Sequence, residues 1–134
     1  MEKSGTEHLL IAMIREIVSN YPVEGVFIDC LASYTCVCPN CIKMMQEAKI
    51  DYNDDNAVLE FSRQSVVRLC QDITKAVKEI KNDPMLFFNG PLFDTVKDCD
   101  TYFDFECLPT AGWGYECLPE MAHAIRNIDE NKQV

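Results

Sequence analysis

The chain has 134 residues, 22 acidic against 12 basic, for a formal net charge of −10 at pH 7. A field of that sign repels phosphate backbones and anionic bilayers, which argues against nucleic acid and membrane as partners. Hydrophobic residues at 48% and charged residues at 25% are the composition of one globular domain, not of a disordered segment.

No run approaches the ~20 apolar residues that span a bilayer. The start, Met1-Glu2-Lys3-Ser4-Gly5, lacks the basic and apolar regions of a secretory leader. The eight cysteines are therefore expected as reduced thiols or metal ligands, and the expected location is the cytoplasm.

In chain order, Leu9, Leu10, Met13, Ile14 and Ile17 set an apolar stripe that predicts a helix over 6–19. Tyr21-Pro22 closes it, because the residue before proline disfavours helical backbone. Gly25-Val26-Phe27-Ile28 is a short continuous apolar run ending at Asp29, as expected of a strand covered on both faces. A cysteine-rich loop and a short helix over 40–48 follow. Leu59, Val66, Leu69, Ile73, Val77 and Ile80 then predict a long amphipathic helix over 55–81, stopped by Asn82-Asp83-Pro84.

Met85-Leu86-Phe87-Phe88 reads as a second strand, ending in the turn signal Asn89-Gly90-Pro91. Thr101-Tyr102-Phe103-Asp104-Phe105 reads as a third, ending at Glu106. Pro119 opens a last helix through about Ile128, and 129–134 form a frayed polar tail. Strands alternating with helices imply an α/β fold with a parallel sheet and right-handed crossovers.

In such sheets chemistry gathers beyond the carboxyl ends of the strands. Asp29, Asn89 and Glu106 occupy those three ends. A pair of carboxylates there suits glycoside hydrolysis, one attacking or activating water and the other protonating the leaving oxygen. The bland alternative is a loop-capping Asp29 and a solvated Glu106.

Several blocks resemble a known family. They are Tyr21-Pro22-Val23-Glu24-Gly25-Val26-Phe27-Ile28-Asp29, Cys36-Val37-Cys38-Pro39-Asn40-Cys41, Phe87-Phe88-Asn89-Gly90, and the run from Glu106 to Tyr115. Together they are similar, over about 21–128, to glycosyl hydrolases related to the α-L-fucosidase-like and family-42 β-galactosidase-like barrels. The resemblance implies a partial (β/α)8 barrel, with 1–134 as a single domain holding about the fourth to sixth strands. It implies Asp29 as nucleophile and Glu106 as acid/base, with the roles exchanged if the family-42 pattern holds. A carbohydrate substrate follows. Three strands cannot close an eight-stranded barrel, so a homo-oligomer sharing open sheet edges is also expected.

Trp113, flanked by Gly112 and Gly114, could stack on a sugar ring, with Tyr115 and Tyr34 as further candidates of the same kind. An ordinary core tryptophan is the alternative. Cys36, Cys38 and Cys41, spaced C-x-C-x2-C, could converge on a structural zinc, with Cys30 or a thiol from another loop as fourth ligand. Unligated thiols are the competing reading. No catalytic cofactor is required. His8 and His123, on predicted helices, are read as surface residues, and Cys70, Cys99, Cys107 and Cys117 as small buried hydrophobes.

Overall fold

A computed structural model describes residues 5–90, 93–99 and 101–128. The tail expected over 129–134 and the proline of the Asn89-Gly90-Pro91 turn lie outside them.

Helix α1 spans Gly5–Asn20, strand β1 Gly25–Ile28, helix α2 Pro39–Glu47 and helix α3 Asp55–Lys78. Strand β2 follows at Met85–Phe88, then the single turn α4 at Phe93–Val96, a 3₁₀ turn at Pro109–Ala111 and α5 at Cys117–Arg126. Asp54 caps α3, its carboxylate accepting the Asn56 N–H at 2.9 Å. Capping of that kind satisfies an amide that the first helical turn leaves without a partner. Helix α5 opens two residues ahead of Pro119, which falls in the first turn, where a missing N–H costs nothing.

Strands β1 and β2 pair in parallel, with Gly25 opposite Met85 and Ile28 opposite Phe88. Gly25 is required by this pairing, since a Cβ there would sit 1.8 Å from the Met85 carbonyl oxygen. Leu86 and Phe88 point from one face of the sheet into a core with Ile14 and Val18 of α1 and Cys70, Ile73 and Val77 of α3. A second, smaller cluster joins Met45 of α2 to Val58 and Phe61 at the start of α3.

Among the described residues the other sheet face is only partly covered. Phe27 is 55% exposed and Met85 39%. Phe87 meets Phe27 edge-on, with ring centroids 6.4 Å apart, and stacks on Tyr102 at 5.3 Å. The α1 stripe divides in the same way. Ile14 is buried, whereas Leu9, Met13 and Ile17 face outward at 61%, 51% and 44% exposure.

The expected third strand over 101–105 does not form; two strands make up the sheet among the described residues. The segment still runs beside β2. Thr101 donates its N–H to the Leu86 carbonyl at 2.9 Å, and its hydroxyl accepts the Leu86 N–H at 3.1 Å while donating to the Pro84 carbonyl at 2.8 Å. A side chain thus takes the amide that a strand's backbone carbonyl would have taken, and the ladder stops after one residue. Phe103 is buried and meets Phe93 of the α4 turn at 5.4 Å.

Candidate functional site at the strand ends

The carboxyl ends of β1 and β2 are tied together beyond the last strand residues. Asn89 N–H donates to the Ile28 carbonyl at 2.9 Å, and Leu31 N–H donates to the Asn89 carbonyl at 2.8 Å. Asp29 and Cys30 therefore lie between the paired groups, one residue more than a regular parallel ladder leaves there. The extra residue is accommodated by Cys30 at φ 60°, a left-handed conformation that costs a non-glycine residue about 1–2 kcal/mol. Gly90, at φ 109°, lets the second loop cross close above the first, where a Cβ would come within 2.9 Å of the Leu31 backbone.

Asp29 leaves this kink exposed to solvent and hydrogen-bonded to the Cys30 thiol. The negative charge of Asp29 beside it raises the Cys30 thiol above its ordinary range, with a smaller contribution in the same direction from Glu106. Glu106 is exposed and lies in coil, within electrostatic reach of the same thiol. Half-buried Asn89 donates its Nδ2 to Asp104 Oδ2 at 3.2 Å, which ties the end of β2 to the segment leading to Glu106. The sequence reading did not single out Asp104; its place one residue short of a supposed strand end was the available signal.

The three aromatic candidates are all exposed, Tyr34 at 73%, Trp113 at 45% and Tyr115 at 83%. Trp113 is therefore not a core residue. It stands between Gly112 and Gly114, at φ 87° and 73°, turns that an L side chain rarely adopts. Behind it, the Cys107 thiol faces the Gly114 carbonyl at 3.9 Å. Burial, then a hydrogen bond to Cys117, pushes the Cys107 thiol up. Cys70 and Cys99 are buried as expected, but Cys107 and Cys117 are only half-buried. Both histidines are exposed. A groove of about 460 Å³ between α3 and α4 is lined by Glu60, Arg63, Gln64, Val67, Arg68 and Thr95, and by none of the strand-end candidates.

In the loop after β1 and the first turn of α2, the sulfur atoms of Cys36, Cys38 and Cys41 all lie within 4.8 Å of one another. Cys38 is the N-cap of α2, and its thiol is lowered by the Cys41 backbone N–H first, then by side-chain hydrogen bonds from Cys41 and Cys36. Cys41 is pushed up to about 12, by burial first and then by its two neighbours. Sulfurs at the corners of a zinc tetrahedron stand about 3.8 Å apart for a Zn–S bond of ~2.3 Å. The three sulfurs lie close enough to one another for the set to hold a metal ion. Cys30 is not in the cluster; its thiol is engaged with Asp29.

Among solved structures, the chain is similar to "Alpha-L-fucosidase isoenzyme 2 from Paenibacillus thiaminolyticus", with a TM-score of 0.81 and 28% identity. The fold is fucosidase-like. The match covers 89% of this chain but 19% of that protein, so the chain spans about a fifth of its length. No family model matches the chain, and no curated protein does. No helix among the described residues is long and apolar enough to cross a membrane.

Proposed function

We propose that the chain is a segment of a (β/α)8-barrel glycoside hydrolase that cleaves O-glycosidic bonds with two carboxylates, Asp29 and Glu106. The observation that carries this reading is the fucosidase-like fold, combined with a carboxylate just beyond β1 and a second one acting on the same thiol. In this reading β1 and β2 are about the fourth and fifth barrel strands, and the coil through 101–105 stands in the place of the sixth.

Asp29 attacks the anomeric carbon, and Glu106 protonates the leaving oxygen and then deprotonates the water that releases the sugar. The exchange of roles is the variant assignment. Asn89, held by Asp104, offers its amide to a sugar hydroxyl, and Trp113, Tyr115 and Tyr34 offer apolar faces to the ring. The partly covered sheet face, with Phe27, Met85 and Phe87, becomes the packed interior once further strands close the barrel. A zinc ion on Cys36, Cys38 and Cys41 would staple the loop after β1 and take no part in catalysis.

Chromogenic aryl glycosides of fucose and galactose test the reading on the full chain beside Asp29→Ala and Glu106→Ala. Either substitution is expected to lower turnover by about 10²–10⁴-fold. Retention requires carboxyl groups about 5–5.5 Å apart and inversion roughly 6.5–9.5 Å. Equal turnover in all three proteins, or a crystal structure with the two groups more than ~12 Å apart, would sink the proposal.

A second reading is favoured by the exposed apolar residues Phe27, Leu9, Met13 and Ile17. In it the chain is a non-catalytic barrel fragment that acts by assembling with other copies through its open sheet. Wild-type chain that forms stable oligomers yet neither turns over nor binds these sugars would favour it.

A further inference from the structure

Cys38 and Cys41 bound the sequence Cys38-Pro39-Asn40-Cys41, and α2 starts inside it, with Cys38 as N-cap and Pro39 in the first turn. Side chains three residues apart at the start of a helix lie on one face. Their two sulfurs are within 4.8 Å, and a disulfide needs about 2.05 Å, so the side chains must rotate toward each other to bond. The two thiols differ in access. Cys38 is exposed. Cys41 is half-buried against the cluster of Met45, Val58 and Phe61. An exposed thiol at a helix start, backed by a sheltered one three residues on, is the arrangement in which the first exchanges with an outside disulfide and the second resolves. Cys36 precedes the helix, and although its sulfur also lies within 4.8 Å of both, no helical turn fixes it there.

We propose that Cys38 and Cys41 form a thiol–disulfide exchange site that takes a low-molecular-weight disulfide, with Cys38 attacking and Cys41 resolving, in the metal-free chain. Cys38 Sγ bonds to one sulfur of the incoming disulfide, whose S–S bond breaks, and the first thiolate leaves with the proton given up by Cys38. Cys41 Sγ then bonds to Cys38 Sγ, the mixed disulfide breaks, and the second thiolate leaves with the proton of Cys41. One disulfide is reduced to two thiols, and the cysteine pair is oxidised by the same two electrons. The reaction uses neither Asp29 nor Glu106, so it stands or falls apart from the hydrolase reading.

The test treats the full reduced chain with a chelator, then with oxidised glutathione, and follows intact mass after an acid quench and alkylation. Wild type is expected to gain one internal disulfide and retain no glutathione. Cys36→Ser/Cys41→Ser is expected to accumulate a glutathionyl adduct at Cys38, because neither neighbouring thiol remains to resolve it. Cys38→Ser should slow thiol loss from the cluster about tenfold or more, and Cys36→Ser should behave as wild type. Circular dichroism verifies that each variant keeps its helices. The proposal is overturned if Cys36→Ser/Cys41→Ser traps no adduct at Cys38, if Cys36→Ser abolishes the internal bond, or if tightly held zinc shields all three thiols through chelation.

Discussion

One residue at the start of β1 decides whether the frame of the candidate site stands. A methyl group at position 25 would meet the Met85 carbonyl at 1.8 Å, and neither partner is the loose end of a side chain. Gly25→Ala must therefore push β1 away from β2, at an expected cost of about 3 kcal/mol or more in urea unfolding. An unchanged midpoint would mean that the strands are not paired as described. Arg15 of α1 and Glu79, just past α3, form a hydrogen-bonded ion pair across the helix layer. The Arg15 hydrogen bond holds the Glu79 carboxyl below its usual value of 4.5. A carboxylate held low stabilises the fold above its unfolded-state value and loses that contribution as pH falls through the folded-state value. Wild type should accordingly exceed Glu79→Gln in stability at neutral pH, with the difference fading below pH 4.5. A difference that instead grew on acidification would contradict the pairing. Both side chains are more than 40% exposed, so solvent screening keeps the contribution small.

At the scale of elements, apolar runs and helical periodicity placed both strands and four of the helices to within a few residues, because burial was their main determinant. The failure at 101–105 has a physical cause that periodicity does not encode. Thr-Tyr-Phe-Asp-Phe is rich in strand-forming residues, but the Thr101 hydroxyl competes for the Leu86 amide and wins. Thr101→Ala is expected to cost about 1–3 kcal/mol, since it leaves the Leu86 N–H at a half-buried sheet edge without its partner. Thr101→Ser should restore most of the loss, and equal denaturation midpoints for all three proteins would deny the clamp. The candidate site was legible in part for the same reason. Asp29 and Asn89 follow apolar runs and so are readable as strand ends. Glu106 was reached through a strand that is absent, and the kink at Cys30 depends on a backbone angle that no residue type announces.

The whole molecule presents a contrast between its two sides. Helices α1 and α3 seal one face of the sheet, while the other face and the outer stripe of α1 keep large apolar side chains in water. Among the described residues, a two-stranded parallel sheet with one largely open face is an incomplete layer, and open faces and unpaired strand edges drive association. Burial of a Phe side chain contributes about 1.5–3 kcal/mol, so Phe27 alone can shift a self-association constant by tenfold or more. Light scattering coupled to size-exclusion chromatography should therefore give a mass that rises with concentration. Phe27→Lys should move that transition to concentrations at least about tenfold higher, because its ammonium resists burial. Leu9→Lys, on the outer helix face, separates two modes of assembly. If only Phe27→Lys weakens the oligomer, copies meet through the sheet, as a barrel completed between chains requires. If only Leu9→Lys does, they meet helix to helix and the sheet face stays open to further strands. A monomer at every concentration would rule out assembly between copies and leave barrel closure to other polypeptide.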